Sequence, residues 1–194
     1  MNEIAAALVW IAGLLAWWVI RYPYQRRARG LKVIRHHKDL EERLLLLFSI
    51  VTLAIMPVTH WATSLFRFAN YPFQPSMGLL GAVVLAAFLW LFRQSHSDLG
   101  GNWSVTLEIR ERHSLVTAGV YRYIRHPMYA SFWLWALAQA LLIPNFIVGP
   151  ASLVSVGFLY MRRSGREEQM MMDEFGEEYR AYAEKTARLI PGIF

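Results

Sequence analysis

The chain has no cysteine among its 194 residues. Disulfides and thiolate metal centres are excluded, and the redox compartment leaves no trace in the sequence. No Gly-x-Gly-x-x-Gly fingerprint is present, so a soluble dinucleotide-binding domain is not indicated. No spacing of His, Asp and Glu matches a metal site. His36 and His37 are adjacent and stand in a basic run, which disfavours a cation. There is no internal repeat and no low-complexity linker. The N-terminus lacks the basic opening and small-residue cleavage site of a signal peptide: it begins Asn2-Glu3 and runs to Trp17-Trp18-Val19-Ile20-Arg21. It reads as a first transmembrane helix that is retained.

What the chain does have is apolar length. Apolar residues make up 56%, which points to a membrane protein. Five apolar segments stand out, roughly Ile4–Ile20, Leu44–Phe66, Met77–Phe92, Tyr129–Ile143 and Phe146–Met161. A full span takes about 20 helical residues. The second segment meets this, and the last two leave two readings open: a thin hairpin about Pro144-Asn145, or a helix that continues beyond its apolar limit into the headgroup layer. The sequence predicts an all-α integral membrane protein with about five transmembrane helices. It is read as a single domain over 1–194, with three helices in 1–92 and the chemistry in 93–194.

A net charge of +6 is compatible with nucleic acid, but its distribution argues for membrane topology. Residues 21–43 carry eight Lys and Arg, residues 93–129 carry five, and residues 162–194 carry six. The alternate connections hold Arg67 alone, so 19 of 20 basic residues fall on one side of a five-span arrangement. The positive-inside rule makes that side cytoplasmic. The N-terminus is then outside, the C-terminus inside, and no nucleic-acid partner is expected. Residues 21–43 read as a basic surface facing anionic lipid. Residues 93–128 read as an irregular connector, and residues 166–187 as an amphipathic helix interrupted near Gly176.

Tyr121-Arg122-Tyr123-Ile124-Arg125-His126-Pro127-Met128-Tyr129 precedes the apolar hairpin, and Arg162-Arg163-Ser164-Gly165-Arg166-Glu167-Glu168 follows it. Sequences flanking one hairpin emerge on the same side of a bilayer. Pro127 fits a first helical turn, where its missing N–H costs nothing. The helix then starts near His126, and its positive dipole end beside Arg125 forms an anion site. Arg163 and Glu167 share a face if the fifth helix continues past Met161. On these residues alone, a positive-inside anchor and a surface ion pair account for the pattern as well as a reaction centre does.

The motifs discriminate further. Leu99-Gly100-Gly101-Asn102-Trp103-Ser104, His113-Ser114-Leu115-Val116-Thr117-Ala118-Gly119-Val120-Tyr121 and Arg125-His126-Pro127-Met128-Tyr129 occur in order. Arg163, Glu167-Glu168, Phe175-Gly176-Glu177-Glu178-Tyr179, Tyr182 and Pro191 follow. Over residues 99–191 the chain resembles the isoprenylcysteine carboxyl methyltransferase family, whose wider kin include phospholipid methyltransferases. Over residues 1–98 the likeness is one of hydropathy.

The resemblance implies a multi-pass membrane enzyme with a cytoplasm-facing pocket. It would use S-adenosyl-L-methionine, leaving S-adenosyl-L-homocysteine, and methylate the α-carboxylate of a prenylated cysteine held in the bilayer. The matching cofactor positions are His113, Ser114, Leu115, Val116, Tyr121, His126, Pro127, Met128, Tyr129 and Glu167. Arg163 matches the arginine that handles the substrate carboxylate, and Glu168 completes the acidic pair. A lipid-amine N-methyltransferase is the alternative, with Glu168 or His113 as the base an amine requires. A reductase or a basic membrane scaffold ranks below both.

Overall fold

The computed structural model describes residues 1–28, 33–37, 40–100, 107–110 and 114–193. His113 and the motif residues Gly101, Asn102, Trp103 and Ser104 lie outside them. The elements in chain order are α1 (Glu3–Ala28), β1 (Val33–His37), α2 (Leu40–Ile50), α3 (Met56–Ala62) and α4 (Pro75–Leu99). They continue with β2 (Leu107–Arg110), α5 (Pro127–Leu142), α6 (Val148–Phe175) and α7 (Glu177–Lys185). One π-helical turn, Val51–Ile55, joins α2 to α3 without a break.

Local chemistry sets the helix ends. Asn2 accepts the Ala5 N–H on its side-chain oxygen at 2.8 Å, an N-cap. Glu3 in the first turn of α1 and Arg26 and Arg27 in the last complement the helix dipole. Proline opens α4 and α5. Gly176 has a φ of +51°, a left-handed geometry that glycine adopts readily, and it separates α6 from α7.

Among the described residues, three helical stretches are long and apolar enough to cross a membrane: Glu3–Arg27, Leu40–Ala62 and Pro75–Leu99. They correspond to the first three predicted segments. The other two differ in kind. α5 has 16 residues, about 24 Å at 1.5 Å per residue, and is short for a ~30 Å hydrocarbon core. α6 has 28 residues, but it runs well beyond Met161 into charged sequence. The expectation that this helix continues past its apolar limit holds.

The all-α reading needs one correction. β1 and β2 pair antiparallel, with Arg35 opposite Ile109, His36 opposite Glu108 and His37 opposite Leu107. The basic segment and the connector therefore meet in a short ribbon. Strands of five and four residues are too brief for alternation to reveal, and the partner lies some seventy residues away.

The helices close on an aromatic core. Trp10, Phe88, Phe92 and Trp135 are almost fully buried. Phe88 meets Trp135 with ring centroids 4.8 Å apart, and Trp17 meets Trp135 at 5.4 Å. α4 and α5 form the most extensive helix pair. They approach closely at Gly81, where a Cβ would stand 2.8 Å from Leu142. The outward faces are apolar: Leu8, Leu15, Val83, Trp90, Val154 and Phe158 are all exposed, as lipid contact requires.

Candidate active site

The site lies where the start of α5 meets the charged half of α6. Three supports place it. The first is Asp98 at the end of α4, whose carboxylate accepts the Val120 N–H at 2.8 Å. Gly119 has a φ of +62°, and a Cβ there would collide with Asp98. The single-turn helix Gly119–Arg122 is thereby pinned, and its Tyr121 is buried. The second support is Tyr182 of α7, which donates its hydroxyl to the Tyr121 carbonyl at 2.7 Å.

The third is Arg125. Its Nη1 donates to the Thr186 carbonyl at 2.7 Å and to the Ala183 carbonyl, and its Nε donates to Glu168 at 3.2 Å. A guanidinium at the end of α7 complements that helix's free carbonyls. The Arg125 and His126 N–H groups donate to the Ala187 and Arg188 carbonyls at 2.7 and 3.0 Å. Arg125 is thus a clamp: its side chain fastens the C-terminal segment to the head of α5.

Within this frame the flanks of the hairpin converge, as expected. Tyr129 donates its hydroxyl to Glu167 Oε1 at 2.7 Å. His126 Nε2 lies 3.1 Å from Glu168 Oε1, and its Nδ1 lies 3.6 Å from Glu167 Oε2. Arg163 and Glu167 pair across one helical turn at 3.5 Å. Burial would raise the Glu167 carboxyl, but the facing His126 imidazole, the Arg163 charge and the Tyr129 hydroxyl together hold it below the usual carboxylate value. Burial pushes the Tyr121 phenol well above its ordinary range, so it stays protonated.

A cavity of about 520 Å³ opens here, within the size range of small-ligand sites. Ser114, Leu115, Val116, Tyr121, His126 and Pro127 line it, and so do Met128, Tyr129, Arg163 and Glu167. Every predicted site residue that is described borders the cavity except Glu168. Glu168 stands behind it, held by Arg125, His126 and, at 2.6 Å, Arg188. The remaining lining is largely apolar and includes Leu14 and Trp17 of α1, Leu46 of α2, Phe132 and Trp135 of α5, and Val156 and Leu159 of α6.

Sequence reasoning missed contributions from the first half of the chain. Arg21 and Trp17 border the cavity. Glu42 is buried 3.4 Å from Arg163, while its neighbour Glu41 takes Arg162 at 2.5 Å and Arg166 at 2.6 Å at the rim. The available signal was the acidic pair Glu41-Glu42 opening an apolar run. Such a pair is ordinarily a favourable helix start, and nothing local says that one member turns inward.

Residues 79–173 match the family model described as isoprenylcysteine carboxyl methyltransferase. That stretch begins earlier and ends earlier than the motif resemblance, leaving the Gly176–Pro191 motifs outside it. Protein-S-isoprenylcysteine O-methyltransferase A of Arabidopsis thaliana is 29% identical over 163 residues, 83% of this chain and 77% of that protein. The Homo sapiens protein-S-isoprenylcysteine O-methyltransferase is 33% identical over 92 residues, 47% of this chain and 32% of the human protein. The solved structure of a eukaryotic intramembrane Ras methyltransferase, isoprenylcysteine carboxyl methyltransferase, superposes with a TM-score of 0.52 at 25% identity. It covers 81% of this chain, which spans 54% of that longer one. The matched stretch carries most of α4, all of α5 and the length of α6 that holds Arg163 and Glu167, and over it the chain is similar to the isoprenylcysteine carboxyl methyltransferase family.

Proposed function

We propose that this chain transfers a methyl group from S-adenosyl-L-methionine to the terminal carboxylate of a prenylated cysteine. The observation that carries this is a buried arginine, Arg163, at the polar end of a cavity whose other walls are largely apolar and come from several helices. An amphiphile with one anionic end and a long apolar chain fits that division.

The residues present also fit the cofactor. Glu167 supplies carboxylate oxygens for an ammonium or for hydroxyls, and Tyr129 fixes its orientation. The first turn of α5 supplies the positive end of a helix dipole for a carboxylate. Leu115, Val116 and Met128 supply apolar wall, and Tyr121 the buried aromatic face. When bound, S-adenosyl-L-methionine supplies a methyl group on an electrophilic sulfonium.

The protein's own part is positioning. An α-carboxyl has an ordinary pKa near ~3.5 and is already ionised at neutral pH, so no general base is needed. Arg163 orients that carboxylate, for which its planar fork is suited. The apolar walls exclude the water that would otherwise solvate the nucleophile. Holding two reactants in line contributes several kcal/mol to the barrier reduction, up to about 7–11 in favourable intramolecular cases. Glu168 is a support rather than a reacting group: it locks His126, Arg125 and Arg188 behind the cavity.

The test is methyl transfer from labelled cofactor to a farnesylated cysteine analogue, run beside phosphatidylethanolamine in mixed micelles. The expected product is an ester that releases labelled methanol in base. Label confined to the lipid amine, stable to base, overturns the reading.

A further inference from the structure

Arg163 does not stand alone at the head of the cavity. Its Nη2 lies 3.5 Å from Glu167 Oε1 on the same helix and 3.4 Å from Glu42 Oε1, which comes from the start of α2. The Glu42 side chain is 3% exposed and that of Arg163 8%. Both distances exceed the 2.7–2.9 Å of a tight charge-assisted bond. Two carboxylates therefore share one guanidinium nitrogen, neither closely. Glu167 has two further partners, Tyr129 and His126. Glu42 faces Arg163 from a different helix, in the half of the chain outside the matched stretch.

The consequence is electrostatic. Counting the described residues, an acceptor carboxylate that binds Arg163 arrives as a third anion beside that guanidinium. In a buried site, like charges a few ångströms apart repel strongly. Once methylated, the acceptor end is a neutral ester and makes no claim on the charge, and Glu42 is left as the counter-ion. Resting on the proposed reading of Arg163, we infer that Glu42 is a specificity-determining residue. It competes with the acceptor carboxylate for Arg163, weakening substrate binding and leaving the neutral product nothing to displace. It touches no reacting atom, and its action is exerted through Arg163.

The test compares binding of two ligands of equal shape, a farnesylated cysteine with a free carboxylate and its carboxamide, in wild type and in Glu42→Gln. The amide acceptor measures packing alone, so the acid-to-amide affinity ratio isolates charge. Removing one negative charge about 6 Å from the acceptor at an effective dielectric near 20 should raise that ratio roughly a hundredfold. Glu42→Asp should stay near wild type, and so should Glu41→Gln, which removes a neighbouring carboxylate paired elsewhere. Glu42→Ser removes the charge without preserving shape and decides the matter if Glu42→Gln does not fold. S-adenosyl-L-homocysteine binding by calorimetry reports folding in each variant.

An unchanged or lowered ratio in a folded variant overturns the inference. Loss of the fold in both neutral variants overturns it too, because Glu42 is then a structural partner of Arg163. Failure of the underlying reading looks different. In that case the wild type binds acid and amide equally, and Arg163→Lys leaves acid binding unaltered.

Discussion

At the scale of single residues, Glu168 shows how much one side chain can organise. It receives Arg125 at 3.2 Å, His126 at 3.1 Å and Arg188 at 2.6 Å. Burial would raise its carboxyl, but those three partners hold it at about 2, against an ordinary 4.5. Burial also disfavours the charged form of His126. The hydrogen bonds and charges of Glu167 and Glu168 outweigh that and raise its pKa above 6.5. The signs fix a pH window. The Glu168 contribution is present above 4.5 and lost as pH falls towards 2. The His126 contribution is complete below 6.5 and lost as pH rises through its raised value. Thermal unfolding in detergent should therefore be flat between 4.5 and 6.5 and decline on the alkaline side. Glu168→Gln should lower stability across the plateau by about 1–3 kcal/mol and make the alkaline decline shallower. An unchanged slope would show that His126 draws its charge stabilisation from elsewhere.

Among the elements, the α5–α6 hairpin depends on its turn. Asn145 accepts the Ile147 and Val148 N–H groups at 2.9 Å each, capping α6. Its amide donates to the Phe66 carbonyl and to Asn70 Oδ1 at 2.7 Å. One side chain thus fastens the hairpin to the loop between α3 and α4. Deeper in, Gln139 donates to the Thr52 and Val148 carbonyls at 3.0 and 2.8 Å, bridging the π-helical turn to α6. Asn145→Ala should cost about 3 kcal/mol, a lost cap together with unsatisfied buried groups, and Asn70→Ala only about 1. Chemical or thermal unfolding with both variants checks the order, and equal losses would mean that the Asn145–Asn70 bond, not the cap, carries the effect. The features legible in the sequence are those written locally: apolar runs, Pro127 opening α5, Gly176 ending α6, and Arg163 and Glu167 one turn apart. The hidden ones are set at long range. Nothing near Glu42 announces Arg163, nothing near Arg125 announces the carbonyls that end α7, and neither strand of the ribbon is long enough to declare itself. The π-helical turn is likewise silent, because it is stabilised by Gln139 from another helix.

For the whole molecule, the remaining question is which end faces which compartment. The site end gathers His126, Arg163, Glu167 and the C-terminal segment. The other end gathers the Pro144-Asn145 turn and the loop through Asn70, tied together by Asn145. α5 separates the two along its length. Of the 20 basic residues, Arg67 is the one assigned to the second end by the five-span arrangement, and the positive-inside rule predicts that the crowded end is cytoplasmic. The absence of cysteine makes this directly measurable, because any thiol introduced is the sole reactive one. Tyr123 and Arg180, both exposed, report the site end, and Phe68, 79% exposed, reports the opposite end. In intact cells an impermeant maleimide should label Phe68→Cys, and should label Tyr123→Cys and Arg180→Cys only after permeabilisation. The reverse pattern would invert the orientation while keeping the fold. Labelling of Tyr123→Cys and Arg180→Cys from opposite sides would break the site itself, since the segments that flank one cavity cannot emerge on both faces of a membrane.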